Sequence, residues 1–480
     1  MTTPAIGSDV FSWPVIGPAL RWRHARTALQ LVLLAVAALM VLHGLAGPQL
    51  APANLATVLT WVHYRGLLIV ALLAAGNLFC TGCPFILVRD AARRLHAPAA
   101  RWPRWLRRKW PAIGLFIAIL FVYELFDLWA LPRATAWLVL AYFGAALAID
   151  TVFAGASFCK YVCPIGQFNF VTSMLSPFEL RVREPATCSA CRTVDCIKGR
   201  RAPEAPLHVV RRGCELALFL PAKVGNLDCT LCLDCVQACP HDNIALATRV
   251  PAFEIADGRR RSGIGRLAQR WDLAALVAVF VFGALINALG MITPVYTLER
   301  QIGAWLGTTS EAMVLGVLFV LALGFAPAVL LGGAASWSAA VIGSPIRRQL
   351  LAFVYGLVPL GAGVWAAHYA FHLLTGFFTV VPVTQSAVLD LSGRAWLGGP
   401  WWTWVGAPPG ALFPLQLGLL ALGAMGSVAV TYLIAERESP SRPLAAAMPW
   451  VVVTLLLFAA AVWMLAQPME MRAAGAGALG

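Results

Sequence analysis

About nine apolar runs, each long enough to cross a bilayer, constrain this chain more than any other feature. They lie at 28–47, 64–79, 111–130, 134–153, 273–291, 312–332, 350–371, 411–434 and 449–465. A hydrocarbon core about 30 Å thick takes roughly 20 helical residues, and inside it every backbone N–H and C=O must be satisfied within the segment. Of the 480 residues, 60% are hydrophobic and 12% are charged, and the mean hydropathy is +0.76. That composition excludes an ordinary soluble domain. The expected fold class is mainly α, a polytopic membrane helical bundle of about nine transmembrane helices.

Residues 179–269 are polar and contain no spanning run. The chain therefore divides into an N-terminal membrane domain over 1–178, a soluble domain over 179–270 and a C-terminal membrane domain over 271–480. No cleavable leader is expected, because Arg21, Arg23 and Arg26 lead directly into the first apolar run. Arg89, Arg93, Arg94, Arg101, Arg104, Arg107, Arg108 and Lys109 follow the second run, and Arg259–Arg261 belong to the soluble domain. By the positive-inside rule the N-terminus and the soluble domain are cytoplasmic and the C-terminus is outside. The net charge of +14 is then a mark of topology in an inner membrane, and no nucleic-acid partner is expected. A long outer loop is expected at 379–410, its Trp396, Trp401, Trp402 and Trp404 lying in the interfacial belt.

All twelve cysteines lie at or before residue 239. Cys229, Cys232, Cys235 and Cys239, with Pro240 next, form the C-x2-C-x2-C-x3-C-P run whose thiolates bind [4Fe–4S] clusters. Zinc ribbons use two separated pairs, and these spacings make poor disulfides. Cys188, Cys191, Cys196 and Cys214 form a looser copy. In two-cluster ferredoxins the fourth cysteine of each run serves the other cluster. Crossing here would join Cys239 to Cys188, Cys191 and Cys196, and Cys214 to Cys229, Cys232 and Cys235. Cys196 is one residue late and Glu215 stands where proline is usual, so the fourth ligand of each cluster stays open. The second and fourth apolar runs end in two further Cys-Pro motifs, Cys80-Thr-Gly-Cys83-Pro84 and Cys159-Lys-Tyr-Val-Cys163-Pro164. Four thiolates at adjacent helix ends are the candidate ligands of a third cluster.

Paired Cys-Pro motifs followed by a two-cluster module resemble the NapH/NosR-type membrane polyferredoxins over about residues 60–250. The C-terminal half, with its HYAFHLLTG stretch, resembles the FesM branch. The resemblance implies an inserted cytoplasmic two-cluster ferredoxin-like domain and electron transfer between clusters and a quinone pool or an outer redox partner. The large flavin-binding domain of NosR is not present in the sequence.

Ionisable residues within membrane helices are functional candidates. His43, His63, His368 and His372 are candidates for a haem b or quinone site, and Glu124, Asp127 and Asp150 for a proton path. Hydrogen bonding to a neighbouring helix is the plainer reading of each. No nucleophile motif, dinucleotide fingerprint or phosphate loop is present, so an electron-transfer subunit of an oxidoreductase is expected rather than a stand-alone enzyme. Its partners would be membrane lipid, a quinone, or another redox subunit such as a cytochrome. An assembly factor whose clusters reduce a metal for a respiratory oxidase is a second class, and a zinc-binding anchor a third.

Overall fold

The computed structural model describes residues 7–95, 98, 100–201, 209–403 and 405–468. Trp404, Arg472 and the side chain of Arg94 lie outside the described residues. The described residues are mostly helical, with four short strands. Among the described residues, eight helices are long and apolar enough to cross a membrane: Ala25–Ala46, Leu55–Ala75, Pro132–Val152, Trp271–Leu289, Glu311–Ile342, Ile346–Thr375, Pro409–Glu438 and Pro443–Leu465. Each overlaps one of the expected runs.

The third run, 111–130, differs. Its helix, Trp110–Leu125, has 16 residues. At about 1.5 Å per residue it falls short of a bilayer core. It ends because Asp127 takes a left-handed backbone, with φ 45°, which cannot continue a right-handed helix. The expected outer loop is also corrected. Phe377–Ser392 forms a short apolar helix, stopped by Gly393 at φ 68°. Val383 and Ala387, four residues apart on one face, are buried with Leu55 and Val58.

The described chain forms two compact units interleaved in sequence. The first comprises Met1–Ala35, Ala71–Ala112 and Phe143–Arg270; the second comprises Val36–Val70, Ile113–Tyr142 and Trp271–Gly480. All twelve cysteines belong to the first unit.

In the first unit, Phe178–Val182 pairs antiparallel with Ile244–Thr248, with Phe178 opposite Thr248 and Val182 opposite Ile244. The pair draws together the two ends of the cysteine-rich stretch. Arg249 locks this closure. Its guanidinium donates to the carbonyls of Ser173 (3.1 Å), Met174 (2.9 Å) and Ser176 (2.9 Å), which a helix end leaves open. Its charge is met by Glu179 and Glu254.

In the second unit Ile346–Thr375 is the central helix and is almost wholly buried. Small residues allow the helix Phe413–Glu438 to approach it closely. A Cβ on Gly363 would stand 2.9 Å from the Leu419 carbonyl oxygen, and one on Gly423 would stand 2.8 Å from that of Pro359. The buried Trp365 donates its indole N–H to the Phe280 carbonyl at 2.9 Å.

Candidate functional site

Local chain geometry places each cysteine of the first unit. Asn77 caps the short helix Leu78–Thr81, accepting from Cys80 N at 3.4 Å. Pro84 then opens the helix Pro84–Leu95. Cys159 lies in a π-helical turn, Phe158–Val162, whose first N–H donates to Asp150 Oδ1 at 2.9 Å. Cys163 caps the helix Pro164–Thr172, its sulfur accepting from Gly166 N at 3.2 Å. Asn169 Nδ2 donates to Cys80 Sγ at 3.4 Å. Burial and then the neighbouring Cys83 push the Cys80 thiol up to about 12. Burial likewise raises Cys163, with Cys80 and Cys83 adding to the rise. Cys159 is raised by burial, then by Asp150, Cys163 and Cys83. The four thiols of the two Cys-Pro motifs are thus electrostatic neighbours.

The remaining eight cysteines divide four and four between two cavities. One, with about 350 Å³ of atom-free space including its mouth, is lined by Cys214, Cys229, Cys232 and Cys235 under a cover of Leu180, Leu216, Leu218 and Leu220. The other, about 510 Å³ by the same measure, is lined by Cys188, Cys191, Cys196 and Cys239. Leu220 lines both. The Cys214 N–H donates to the Cys196 carbonyl at 2.8 Å, so the cavities also share a backbone contact.

Between the cysteines the backbone is strained. Asp228, Leu231 and Leu233 have φ of 61°, 52° and 61°, and Val194 has φ 54°. Left-handed backbone is costly for residues with a Cβ, most of all a β-branched valine, and persists only where the surroundings impose it. Here it curls the loops around the cavities and turns N–H groups to sulfur. Leu218 N donates to Cys214 Sγ at 3.4 Å. Asn243 donates from its backbone to Cys239 Sγ at 3.5 Å and from its side chain to Cys188 Sγ at 3.4 Å. Hydrogen bonds to its neighbours lower Cys191 to about 7, first from Val194 N and then from the Thr193 hydroxyl. Cys196 is pushed up to about 11 by burial and then by Cys239.

Polar residues that cysteine spacing does not reveal hold these loops. Asn77 Nδ2 donates to the Cys229 carbonyl at 3.2 Å, and Thr81 Oγ1 to the carbonyls of Thr230 and Leu231 at 3.0 Å each. The first Cys-Pro loop therefore rests on the Cys229 loop. Lys109 Nζ meets Asp228 Oδ1 at 2.7 Å, both side chains being 3% exposed. Arg89, 1% exposed, joins Asp90, Asp150 and Glu215 at 2.7, 3.4 and 2.9 Å. Arg26 pairs with Asp234. Burial opposes ionisation of Glu215, but Arg89 and Arg26 outweigh it and hold the carboxyl at about 2. Arg89, Lys109 and Arg261, counted in the sequence as topological charge, are thus buried structural cations. The signal that would have found them is an acidic or amide residue beside a cysteine run: Asn77, Asp228, Asp234 and Asn243.

Among the described residues, no three His, Cys, Asp or Glu side chains stand close enough to hold a single metal ion. Zinc would need four ligands within about 2.3 Å of one atom. A four-iron cubane needs four thiolates around a larger body, and each cavity presents four cysteines around a space.

The candidate histidines separate into two kinds. His43 Nδ1 accepts from Leu55 N at 3.0 Å, so Nε2 carries the proton and faces Asp390 Oδ2 at 3.1 Å. Both ring nitrogens of His63 face carbonyls, those of Val58 (3.2 Å) and Phe377 (3.0 Å). Neither ring keeps a nitrogen for a ligand. His368 and His372 do. Neither ring nitrogen of His368, nor Nε2 of His372, has a hydrogen-bond partner among the described residues. The candidate acids have local roles. Glu124 accepts from Asn287 Nδ2 at 3.5 Å, Asp127 sits in the turn beyond that helix, and Asp150 anchors the Cys159 turn.

No family model matches the chain, and no solved structure matches it. It is similar to "Putative electron transport protein YccM" of Escherichia coli (strain K12), 32% identical over 94 residues, 20% of this chain and 22% of that protein. It is also similar to "Uncharacterized protein MJ0749" of Methanocaldococcus jannaschii, 26% identical over 82 residues, 17% of this chain and 26% of that protein. The chain thus spans about a quarter or less of the length of these curated relatives. The similarity therefore bears on one segment of a chain with eight candidate membrane helices.

Proposed function

We propose that the chain is a multi-pass membrane electron-transfer protein that holds three [4Fe–4S] clusters. It would serve as a subunit of a larger oxidoreductase in an inner membrane, with its cysteine-bearing unit cytoplasmic. It would exchange electrons with the quinone pool or with a cytochrome-type partner. One observation carries this reading: eight cysteines from two sequence runs divide into two cavities of four, each set crossing between the runs. The partial similarity to an electron-transport protein supports the same role.

Bound clusters would supply one-electron exchange near constant geometry. The chain's own residues hold and tune them. Cys214, Cys229, Cys232 and Cys235 would hold one, Cys188, Cys191, Cys196 and Cys239 a second, and Cys80, Cys83, Cys159 and Cys163 the third. Bound iron would offset the cost of ionising these buried thiols. Asn169, Gly166, Leu218 and Asn243 donate to sulfur, drawing off charge and raising potential. The leucine cover over the Cys229 cavity excludes water.

The test is anaerobic purification with iron and sulfide counting and EPR of the reduced protein. About twelve irons with matching sulfide are expected from three four-iron clusters. Stoichiometric zinc without sulfide would refute the reading.

A further inference from the structure

The second unit contains polar groups that the cysteine chemistry does not use. Its span Leu55–Ala75 departs from α-helical geometry over the π-helical stretch Val58–Tyr64. Such departures concentrate at functional sites. Arg65 follows at once. Its Nε donates to the Trp61 carbonyl at 3.0 Å and Nη2 to the Tyr123 hydroxyl at 3.3 Å. The guanidinium lies 5.1, 5.2 and 4.9 Å from the ring centroids of Trp61, Tyr123 and Tyr369. Among the described residues its partners are the Trp61 carbonyl, the hydroxyls of Tyr123 and Tyr369 and ring faces, never a carboxylate. A guanidinium in a membrane span without an anion is a costly arrangement.

His368 and His372 face the same place. Their ring centroids are 5.0 Å apart, Tyr369 is the next residue, and Arg65 is near enough to act on both rings electrostatically. His368 is 1% exposed, and both its ring nitrogens lack a partner. A buried polar group without a hydrogen bond is costly and calls for an explanation.

We propose that Arg65, Tyr123, His368 and His372 bind the head group of a quinone or quinol. The ligand must reach apolar helices from the bilayer, so it carries a hydrocarbon tail. It must offer an acceptor to Arg65 and the Tyr123 hydroxyl, as a quinone carbonyl does. It must offer a donor to an unpartnered imidazole nitrogen, as a quinol hydroxyl does. Its flat ring suits the faces of Trp61 and Tyr369. A lipid phosphate, which only accepts, would satisfy the cation and offer no donor to an unpartnered ring nitrogen. A bis-histidine haem would need a second free imidazole on another helix, and His43 and His63 are engaged. The purpose of the site rests on the electron-transfer reading; its chemistry does not.

The test uses the full chain in nanodiscs and titrates a short-tailed ubiquinone and a short-tailed menaquinone by calorimetry. His368→Leu and Arg65→Met should each weaken binding at least about tenfold, the factor that a 1.4 kcal/mol hydrogen bond carries. Tyr123→Phe, which keeps the ring and the fold, should weaken it about threefold to tenfold. Iron and sulfide content should stay at the wild-type value in all three. Wild type that binds neither quinone, or variants that bind as wild type does, would overturn the proposal. Retention of anionic phospholipid instead would assign Arg65 to a lipid phosphate, and a Soret band lost in His368→Leu would assign the site to haem; either overturns it. Failure of the cluster reading would appear separately, as missing iron and sulfide with quinone binding intact.

Discussion

Replacing Glu254 by glutamine tests how the cysteine loops are held. Glu254 is 3% exposed. Its carboxylate accepts from Asn226 N at 2.6 Å and from Leu227 N at 3.4 Å, so it grips the backbone just before Cys229. It also faces Arg249, and Arg261 Nη1 at 3.0 Å, both nearly buried. Burial alone would raise its pKa, but Arg249 and then Arg261 overcome this and leave it below its ordinary 4.5. Glutamine keeps the shape and one acceptor but takes the counter-charge from the buried Arg261 and leaves Arg249 with Glu179 alone. Breaking a buried pair in this way costs about 3–5 kcal/mol, and the retained acceptor points to the lower end. For a unit in the 150–250-residue class, about 2–4 °C per kcal/mol converts 3 kcal/mol to a fall of roughly 6–12 °C at pH 7.

The pH dependence follows from the depressed pKa. Stability from the ionised carboxylate is fully present above the unfolded value near 4.5 and is lost as pH falls through the lower folded value. The gap between wild type and Glu254→Gln should therefore be constant near neutrality and narrow below about pH 4.5. The assay is thermal unfolding of the detergent-solubilised protein, followed by intrinsic fluorescence across that pH range. A shift under about 2 °C at pH 7 would refute the electrostatic account. So would a gap that persists unchanged in acid, because the loss would then be one of packing.

Cys239→Ser should lower the iron count from about twelve to about eight and remove the EPR signal of the site lined by Cys188, Cys191 and Cys196; loss of the Cys229 site instead would mean that ligation follows sequence order. Lys109→Met leaves the buried Asp228 without its cation and should destabilise the protein by about 3 kcal/mol, read as an earlier thermal transition, whereas an unchanged transition would show that Asp228 finds another partner. The double variant Asn77→Ala, Thr81→Val frees the carbonyls of Cys229, Thr230 and Leu231 and should cost about 2–4 kcal/mol. Faster maleimide labelling of Cys229 and Cys80 on warming would report the loosened contact, and wild-type labelling rates would argue against it.

Hydropathy by itself determined where the long helices lie, because backbone groups in hydrocarbon have few alternatives to helical hydrogen bonds. Cysteine spacing likewise marked the four runs, three of which end in Cys-Pro, where proline interrupts a helix locally. The tertiary structure decided what depends on contacts between distant segments. Cys214 and Cys239 each line a cavity with cysteines from the other run, because Phe178–Val182 and Ile244–Thr248 pair and bring the two runs face to face. The helix Phe377–Ser392 emerges from a stretch that reads as a loop, because Val383 and Ala387 find a buried surface on Leu55 and Val58. Arg89 and Lys109 read as exposed topological charge until Asp150, Glu215 and Asp228 arrive from elsewhere in the chain. The four membrane histidines look equivalent in sequence. Only packing separates His43 and His63, whose ring nitrogens are engaged, from His368, whose buried nitrogens are not. Hydrogen-bond partners are set by three-dimensional neighbours, and neither composition nor periodicity records them.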